Sequence, residues 1–347
     1  LKVAIVILNY NGKNWLEQFL PGVLKYKPSF ADVYVADNGS TDDSISFVKD
    51  KFPEVKLIAL EKNYGYAGGY NQALSKIESR YYALLNSDVE IKEDWLSPLV
   101  ELLDSQAEVA AVQPKIKDFK QPEYFEYAGA CGGFIDMFGY PFCRGRVLDT
   151  VEKDLGQYDT VVPVFWVSGA AMLIRSSVFH EAGGFDATFF AHMEEIDLCF
   201  RMHRLGYKLM VYPNVAVYHV GGGTLSYSTP EKVKLNFRNS LQMLVKNHST
   251  ARLVWLLPAR MILDGIAALL FLSQGKKDSF LSVLRAHMNF YSGFSETWKS
   301  RMKLRENMQF SFERKDLVLN GLLPLHYYVL GNKRYYTLQF KLKSGGI

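Results

Sequence analysis

Short apolar runs separated by amphipathic stretches fill the first third of the chain. Val3–Leu8, Val33–Ala36, Lys56–Leu60, Tyr82–Leu85 and Ala110–Val112 are short and aliphatic, as buried strands are. Between them, Trp15–Leu24, Asp43–Lys51, Ala67–Ser79 and Trp95–Leu103 space their apolar residues three or four apart, which is the stripe of a helix facing a core. Strand and helix in alternation predict an α/β fold with a mainly parallel sheet flanked by helices. Ligands in such sheets bind beyond the carboxyl ends of the strands. The polar clusters Asn9–Asn11, Asp37–Asp42, Asn63–Gly65 and Asn86–Asp88 fall at those ends.

The alternation stops at residue 115. Residues 115–162 are rich in glycine, proline and aromatics, among them Phe119, Tyr124, Phe134, Phe138 and Tyr140, and read as an irregular insertion; a flexible linker would not carry so many rings. Periodicity resumes at Val164, with helices expected over Ser176–Ala182 and Glu195–Leu205 and strands over Lys208–Val211 and Val215–His219. From Glu231 onward the pattern is mostly helical. The organisation expected is one domain over 1–250 and a helical extension over 251–347.

Charge sharpens that division. The 347 residues carry a net charge of +4, yet residues 1–250 hold 25 Lys/Arg against 30 Asp/Glu, and residues 251–347 hold 15 against 6. A basic, apolar tail beside an acidic body suits a membrane surface. No nucleic-acid motif accompanies it, so nucleic acid is not an expected partner. Within the tail, Trp255–Leu272 is interrupted by Arg260 and Asp264. A charge at the bilayer centre costs about 3 kcal/mol, so the expectation is a segment lying in the interface rather than spanning it. The alternative is a lid or homodimer surface. Three scattered cysteines and no recognisable signal peptide point to a reduced, cytoplasmic setting.

Five clusters carry candidate chemistry. Asp37 is placed to bond a base or ribose, or else Asp37–Asp42 is a turn with a helix cap. Asn63–Asn71 is a glycine-rich helix entry that lets backbone approach a phosphate. Asp88 ends a buried strand, where a carboxylate can hold a divalent cation. Glu194, Glu195 and Asp197 crowd three carboxylates into four residues; such a cluster either supplies a base at a helix entrance or complements the helix dipole. His219 ends a strand beside glycines and suits a metal or phosphate contact.

In this order and spacing, Ile5–Gly12, Val35–Asp42, Asn63–Asn71, Leu84–Val89, Trp166–Ile174, Gly183–Arg201 and Tyr212–Thr224 resemble family 2 glycosyltransferases of the GT-A fold, closest to the rhamnosyltransferase-like branch of bacterial surface-polysaccharide enzymes. The resemblance implies an inverting transfer of a sugar from a UDP- or dTDP-sugar to a saccharide or lipid-linked saccharide. It implies donor contacts at Asn9, Asn11, Asp37, Asn63, Gly65, Gly69 and Asp88, an acceptor site flanked by Trp166, Gly169 and Glu194, and a general base at Glu195. It further implies Mg²⁺ or Mn²⁺ held by Asp88 and His219; the basic, apolar tail adds the expectation of a place at the inner face of the cytoplasmic membrane. Two positions depart from the family pattern: Asn86 stands where a first metal-binding Asp is usual, and Glu195 where the base is usually Asp. They support the alternative of a catalytically degenerate assembly subunit. A sugar-nucleotide pyrophosphorylase is disfavoured, because Asn9–Asn14 lacks the glycine-rich, Arg/Lys-bearing loop that enzyme needs after its first strand.

Overall fold

The computed structural model describes residues 2–221, 229–307 and 314–338; residues 222–224, which close the His219 stretch, lie outside them. The alternation unfolds in order as β1 (Val3–Asn9), α1 (Lys13–Tyr26), β2 (Ala31–Asp37), α2 (Ser44–Lys51), β3 (Lys56–Ala59), α3 (Gly65–Leu74), β4 (Tyr81–Asn86), β5 (Val89–Glu90), α4 (Leu96–Ser105) and β6 (Val109–Asp118). Four short strands follow: β7 (Gly133–Asp136), β8 (Pro141–Cys143), β9 (Arg146–Val147) and β10 (Thr150–Val151). Then come β11 (Val162–Val164), β12 (Ala171–Arg175), α5 (Ser176–Glu181), α6 (Glu194–Arg204) and β13 (Lys208–His219). The remainder is α7 (Pro230–Asn247), α8 (Thr250–Ser273), α9 (Lys277–Ser292), α10 (Phe294–Asn307), β14 (Val318–Leu319) and α11 (Leu323–Tyr328).

The large sheet has the order β11-β13-β6-β12-β4-β1-β2-β3, with β5 paired to β13. β3, β2, β1 and β4 are parallel, as the alternation predicts. β12 enters antiparallel between β4 and β6, so β6 is not the neighbour of β4 that the order along the chain suggests. Alternate residues of β1 face opposite layers. Val3, Ile5 and Ile7 pack with Leu16 and Leu20 of α1 and Leu99 of α4, while Ala4 and Val6 pack with Tyr70 and Leu74 of α3. The two strands expected over 208–219 are one. Pro213 has no N–H for a ladder bond, and the chain absorbs it as a register shift between Tyr212 and Ala216.

The aromatic stretch forms a second sheet, β10-β9-β8-β7-β14. Its last strand comes from the far end of the chain, Val318 pairing with Ile135. Phe134 stacks on Phe142 at 5.7 Å, and Tyr335 packs against both. Strands of two to four residues leave no period to read, which is why this region looked irregular.

Candidate active site

Register brings the polar strand ends to one edge. Asn9 lies opposite Asp37, Leu8 opposite Asn86, and the Asn86 N–H donates to the Ala170 carbonyl at 3.0 Å. A cleft of about 250 Å³ opens there, lined in part by Asn38, Asn63, Gly65, Asp88, Gly169, Glu194, Glu195, His219 and Lys232. Asn9, Asn11, Asp37, Gly69 and Trp166 stand outside that lining.

The residues outside it brace the cleft. Asn9 Nδ2 donates to Asp37 Oδ2 at 3.0 Å, the Ser40 N–H donates to Asp37 Oδ1 at 2.9 Å, and both Asn9 and Asp37 are fully buried. Asn11 Oδ1 receives the Thr41 N–H at 2.7 Å, tying the loop after β1 to the loop after β2. A Cβ on Gly69 would meet Asn38 and Leu8 at 2.9 Å, so its small size lets α3 approach the sheet. Trp166 is buried, its indole N–H donating to the Phe134 carbonyl at 3.0 Å, and it packs over Gly133.

The glycine-rich entry is held from β2. Asn38 Nδ2 donates to Asn63 Oδ1 and to the Gly65 carbonyl, and Asn38 Oδ1 accepts the Tyr64 N–H. Gly65 has φ +72°, and a Cβ there would sit 2.5 Å from Phe190, so no other residue fits without moving the loop.

Asp88 and His219 meet because β5 pairs with the end of β13, His219 opposite Val89. Asp88 Oδ1 is 3.2 Å from His219 Nε2, and Glu126 Oε1 is 3.4 Å from His219 Nδ1. All three are buried. Desolvation lowers the basicity of His219, but Glu126 and Asp88 outweigh it and push the imidazole up to about 10. Among the described residues no cluster of three His, Cys, Asp or Glu stands ready for a metal. Two protein ligands still suit Mg²⁺ or Mn²⁺ when a substrate diphosphate supplies further oxygens. Glu126, behind His219, stands on the side where histidines that bind metals usually have an orienting carboxylate. No sequence signal marked Glu126, since its surroundings carry no period.

Glu194 and Glu195 open α6. Burial, and for Glu194 the neighbouring Glu195, raises both carboxyls: Glu194 well above its usual range and Glu195 to about 6. Glu194 Oε2, Glu195 Oε2 and His192 Nε2 are buried and have no hydrogen-bond partner among the described residues. Lys232, from α7, lines the same cleft; burial lowers its ammonium, against the pull of Glu126 and Glu195. Paired acids with unmet hydrogen-bonding capacity at a cleft are poised for proton transfer to or from a ligand.

The glycosyl transferase family 2 model matches residues 4–165. An N-acetylglucosaminyl-diphospho-decaprenol L-rhamnosyltransferase of Mycobacterium tuberculosis is 24% identical over 322 residues, covering 88% of this chain and 98% of its own. Residues 4–165 form a family 2 glycosyltransferase domain. The rhamnosyltransferase WbbL of Escherichia coli K12 is 28% identical over 163 residues, 45% of this chain and 61% of its own. A solved mannosyltransferase of Pyrobaculum calidifontis, in complex with GDP-Man and Mn²⁺, shares the fold at TM-score 0.52 and 15% identity, covering 88% of this chain and 85% of its own.

The approach to Glu194 is strained. Phe190, His192 and Met193 all have positive φ, at +64°, +69° and +73°. Left-handed backbone costs a non-glycine residue about 1–2 kcal/mol. Such geometry persists only where the surroundings impose it, and it concentrates at functional sites.

Proposed function

We propose that this chain, with its family 2 glycosyltransferase domain, is an inverting, metal-assisted enzyme that moves a hexose from a UDP- or dTDP-sugar to a saccharide or lipid-linked saccharide acceptor in cell-surface polysaccharide synthesis. The observation that carries the reading is one cleft lined by Glu195, whose carboxyl is raised and whose Oε2 has no partner among the described residues, and by Asp88 and His219, with Glu126 beside the far nitrogen of His219. Relatives that act as rhamnosyltransferases support it. Glu195 takes the proton of the acceptor hydroxyl, and the oxygen attacks the anomeric carbon from the face opposite the leaving diphosphate. Asn63 and Gly65 bring backbone to the diphosphate, with Asn38 holding their loop. Asp88 and His219 would hold Mg²⁺ or Mn²⁺, which supplies positive charge to the departing diphosphate. Lys232 adds a second cation to the same cleft. Gly169 and Glu194 border the acceptor side, Tyr66 fixing the Gly169 carbonyl by a 2.7 Å hydrogen bond. Nucleotide release from UDP- and dTDP-sugars with a saccharide or lipid-linked acceptor, with the product anomer read by NMR, tests this reading.

The proposal places the enzyme at the inner face of the cytoplasmic membrane, with 1–250 as the transferase domain. α8 is long and apolar enough to cross a membrane by length and composition. The charges that interrupt it turn inward: Arg260 Nε donates to Asp264 Oδ1 at 2.8 Å, both are buried, and Arg260 lies over the Tyr140 ring. Its outward face is left apolar, with Val254, Ile262, Ile266, Leu269 and Leu270 at least half exposed. Lys276, Lys277 and Arg285 are exposed close by in sequence. This combination favours seating in the headgroup region of an anionic membrane. Wild type should float with phosphatidylglycerol vesicles, and the Ile266→Glu/Leu269→Glu/Leu270→Glu variant should not. Wild type left in the soluble fraction would sink the membrane proposal. Surface substitution is the cleaner probe, since truncation at 250 would remove β14 and Tyr335 from the second sheet.

A further inference from the structure

The strained turn before α6 is held from outside. Asn239, on α7 and fully buried, points its amide nitrogen at three carbonyls of that turn's backbone: Phe189 at 3.0 Å, Ala191 at 2.8 Å and His192 at 2.7 Å. Arg238 donates to the Thr188 carbonyl at 3.1 Å and to Phe189 at 2.9 Å, and its Nε donates to Asn239 Oδ1 at 2.8 Å, which fixes the amide's orientation. The remaining carbonyl, Phe190, receives the Tyr66 N–H at 2.6 Å and the Ala67 N–H at 3.2 Å from the start of α3. Every carbonyl from residue 188 to 192 therefore has a donor, and four of the five are met from α7.

We infer that Asn239 is a positioning residue: it locks the left-handed turn Phe190–Met193 and so sets the place of Glu195 in the cleft. A turn with three positive-φ residues cannot satisfy its carbonyls through a helix or strand ladder, and buried carbonyls must be met somehow. An amide NH₂ carries two hydrogens, so it meets these three carbonyls by sharing one of them, and with its oxygen already committed to Arg238 it is the nitrogen that faces the turn. Asn239 touches neither of the glutamates' carboxyls in the hydrogen bonds the structure shows; it acts through the backbone that carries them. The donor loop has its own anchor in Asn38, and its tie to the turn is the Phe190 carbonyl, which α7 does not hold, so loss of Asn239 bears first on the glutamates rather than on donor binding.

The inference rests on Glu195 being the base, and its test is built to fail independently. Kinetics on Asn239→Ala, Asn239→Asp and the core comparator Leu241→Ala are measured beside nucleotide affinity by calorimetry and beside Tm. Misplacing a reacting group by about 1 Å costs about 10²-fold, so Asn239→Ala should lose about that much kcat while nucleotide Kd holds within about twofold. Asn239→Asp keeps the volume but turns an acceptor toward three carbonyls, and it should lose at least as much. Leu241 packs with Val245 and Phe290 away from the turn, so Leu241→Ala should lower Tm yet keep kcat when assayed below its transition. The acid limb of the kcat profile should also move down in the Asn239 variants as Glu195 gains solvent. Asn239 variants that keep kcat within about threefold, or that lose nucleotide affinity in step with kcat, overturn the positioning role. So does Leu241→Ala losing kcat equally. Absence of transfer by wild type would instead strike the proposed function itself.

Discussion

Glu195→Gln is expected to lower kcat by about 10²–10⁴-fold, the range general-base catalysis supplies, while nucleotide affinity stays unchanged. The carboxyl is raised to about 6 by burial, so it is ionised and able to accept a proton at neutral pH. Wild-type turnover should fall as pH drops through about 6, and the residual activity of the variant should lack that limb. Stability should move the other way. A carboxyl whose folded pKa lies above its unfolded value near 4.5 favours the fold below that value, and the advantage is lost as pH rises through the folded pKa. At pH 7.5 the ionised Glu195 therefore costs up to about 2 kcal/mol that glutamine does not. The variant should melt higher than wild type at pH 7.5 and at nearly the same temperature at pH 4. Full turnover in the variant would remove Glu195 from the role.

Asp88→Asn should be nearly as damaging, for a different reason. Asn86 already stands where a second carboxylate would help hold a cation, which leaves Asp88 as the one carboxylate beside His219 Nε2 among the described residues. Its loss should weaken Mn²⁺ binding in the presence of nucleoside diphosphate by at least about 10-fold and lower turnover by about 10²-fold. Calorimetric Mn²⁺ titration reads the first without reference to activity. His219→Ala should weaken Mn²⁺ as well and should in addition destabilise the fold, because Glu126 would remain buried at 1% exposure with its imidazole neighbour gone. Unchanged Mn²⁺ affinity in Asp88→Asn would move the cation site elsewhere.

The parallel half of the sheet was legible because each strand is a short aliphatic run with a polar end, and parallel register carries those ends to one edge. The position of β12 was not, since insertion between β4 and β6 is decided by pairing partners far apart in the chain. The candidate residues divide along a similar line. Asp88, His219, Glu194 and Glu195 lie at element ends, where a lone polar residue stands out against apolar neighbours, and all four line the cleft. Asn9 and Asp37 stand out equally, yet the structure turns them onto each other. Sequence shows that a polar group is buried there, and only the fold shows what it bonds. Glu126 and Lys232 were missed because one lies among aromatics without periodicity and the other looks like any lysine in a first helical turn. Arg260 and Asp264 read as obstacles to spanning a membrane; their i,i+4 pairing takes both inward and leaves the outward face of α8 apolar.

The most direct test of the whole account is an NMR time course with wild-type enzyme, a panel of UDP- and dTDP-sugars, Mn²⁺ or Mg²⁺, and a saccharide or lipid-linked saccharide acceptor. The account predicts nucleoside diphosphate release from at least one donor, dependence on metal that EDTA abolishes, and a product whose anomeric configuration is opposite to the donor's. A product of retained configuration would contradict the single displacement led by Glu195, and no release together with no nucleotide binding would leave the degenerate assembly subunit as the better reading.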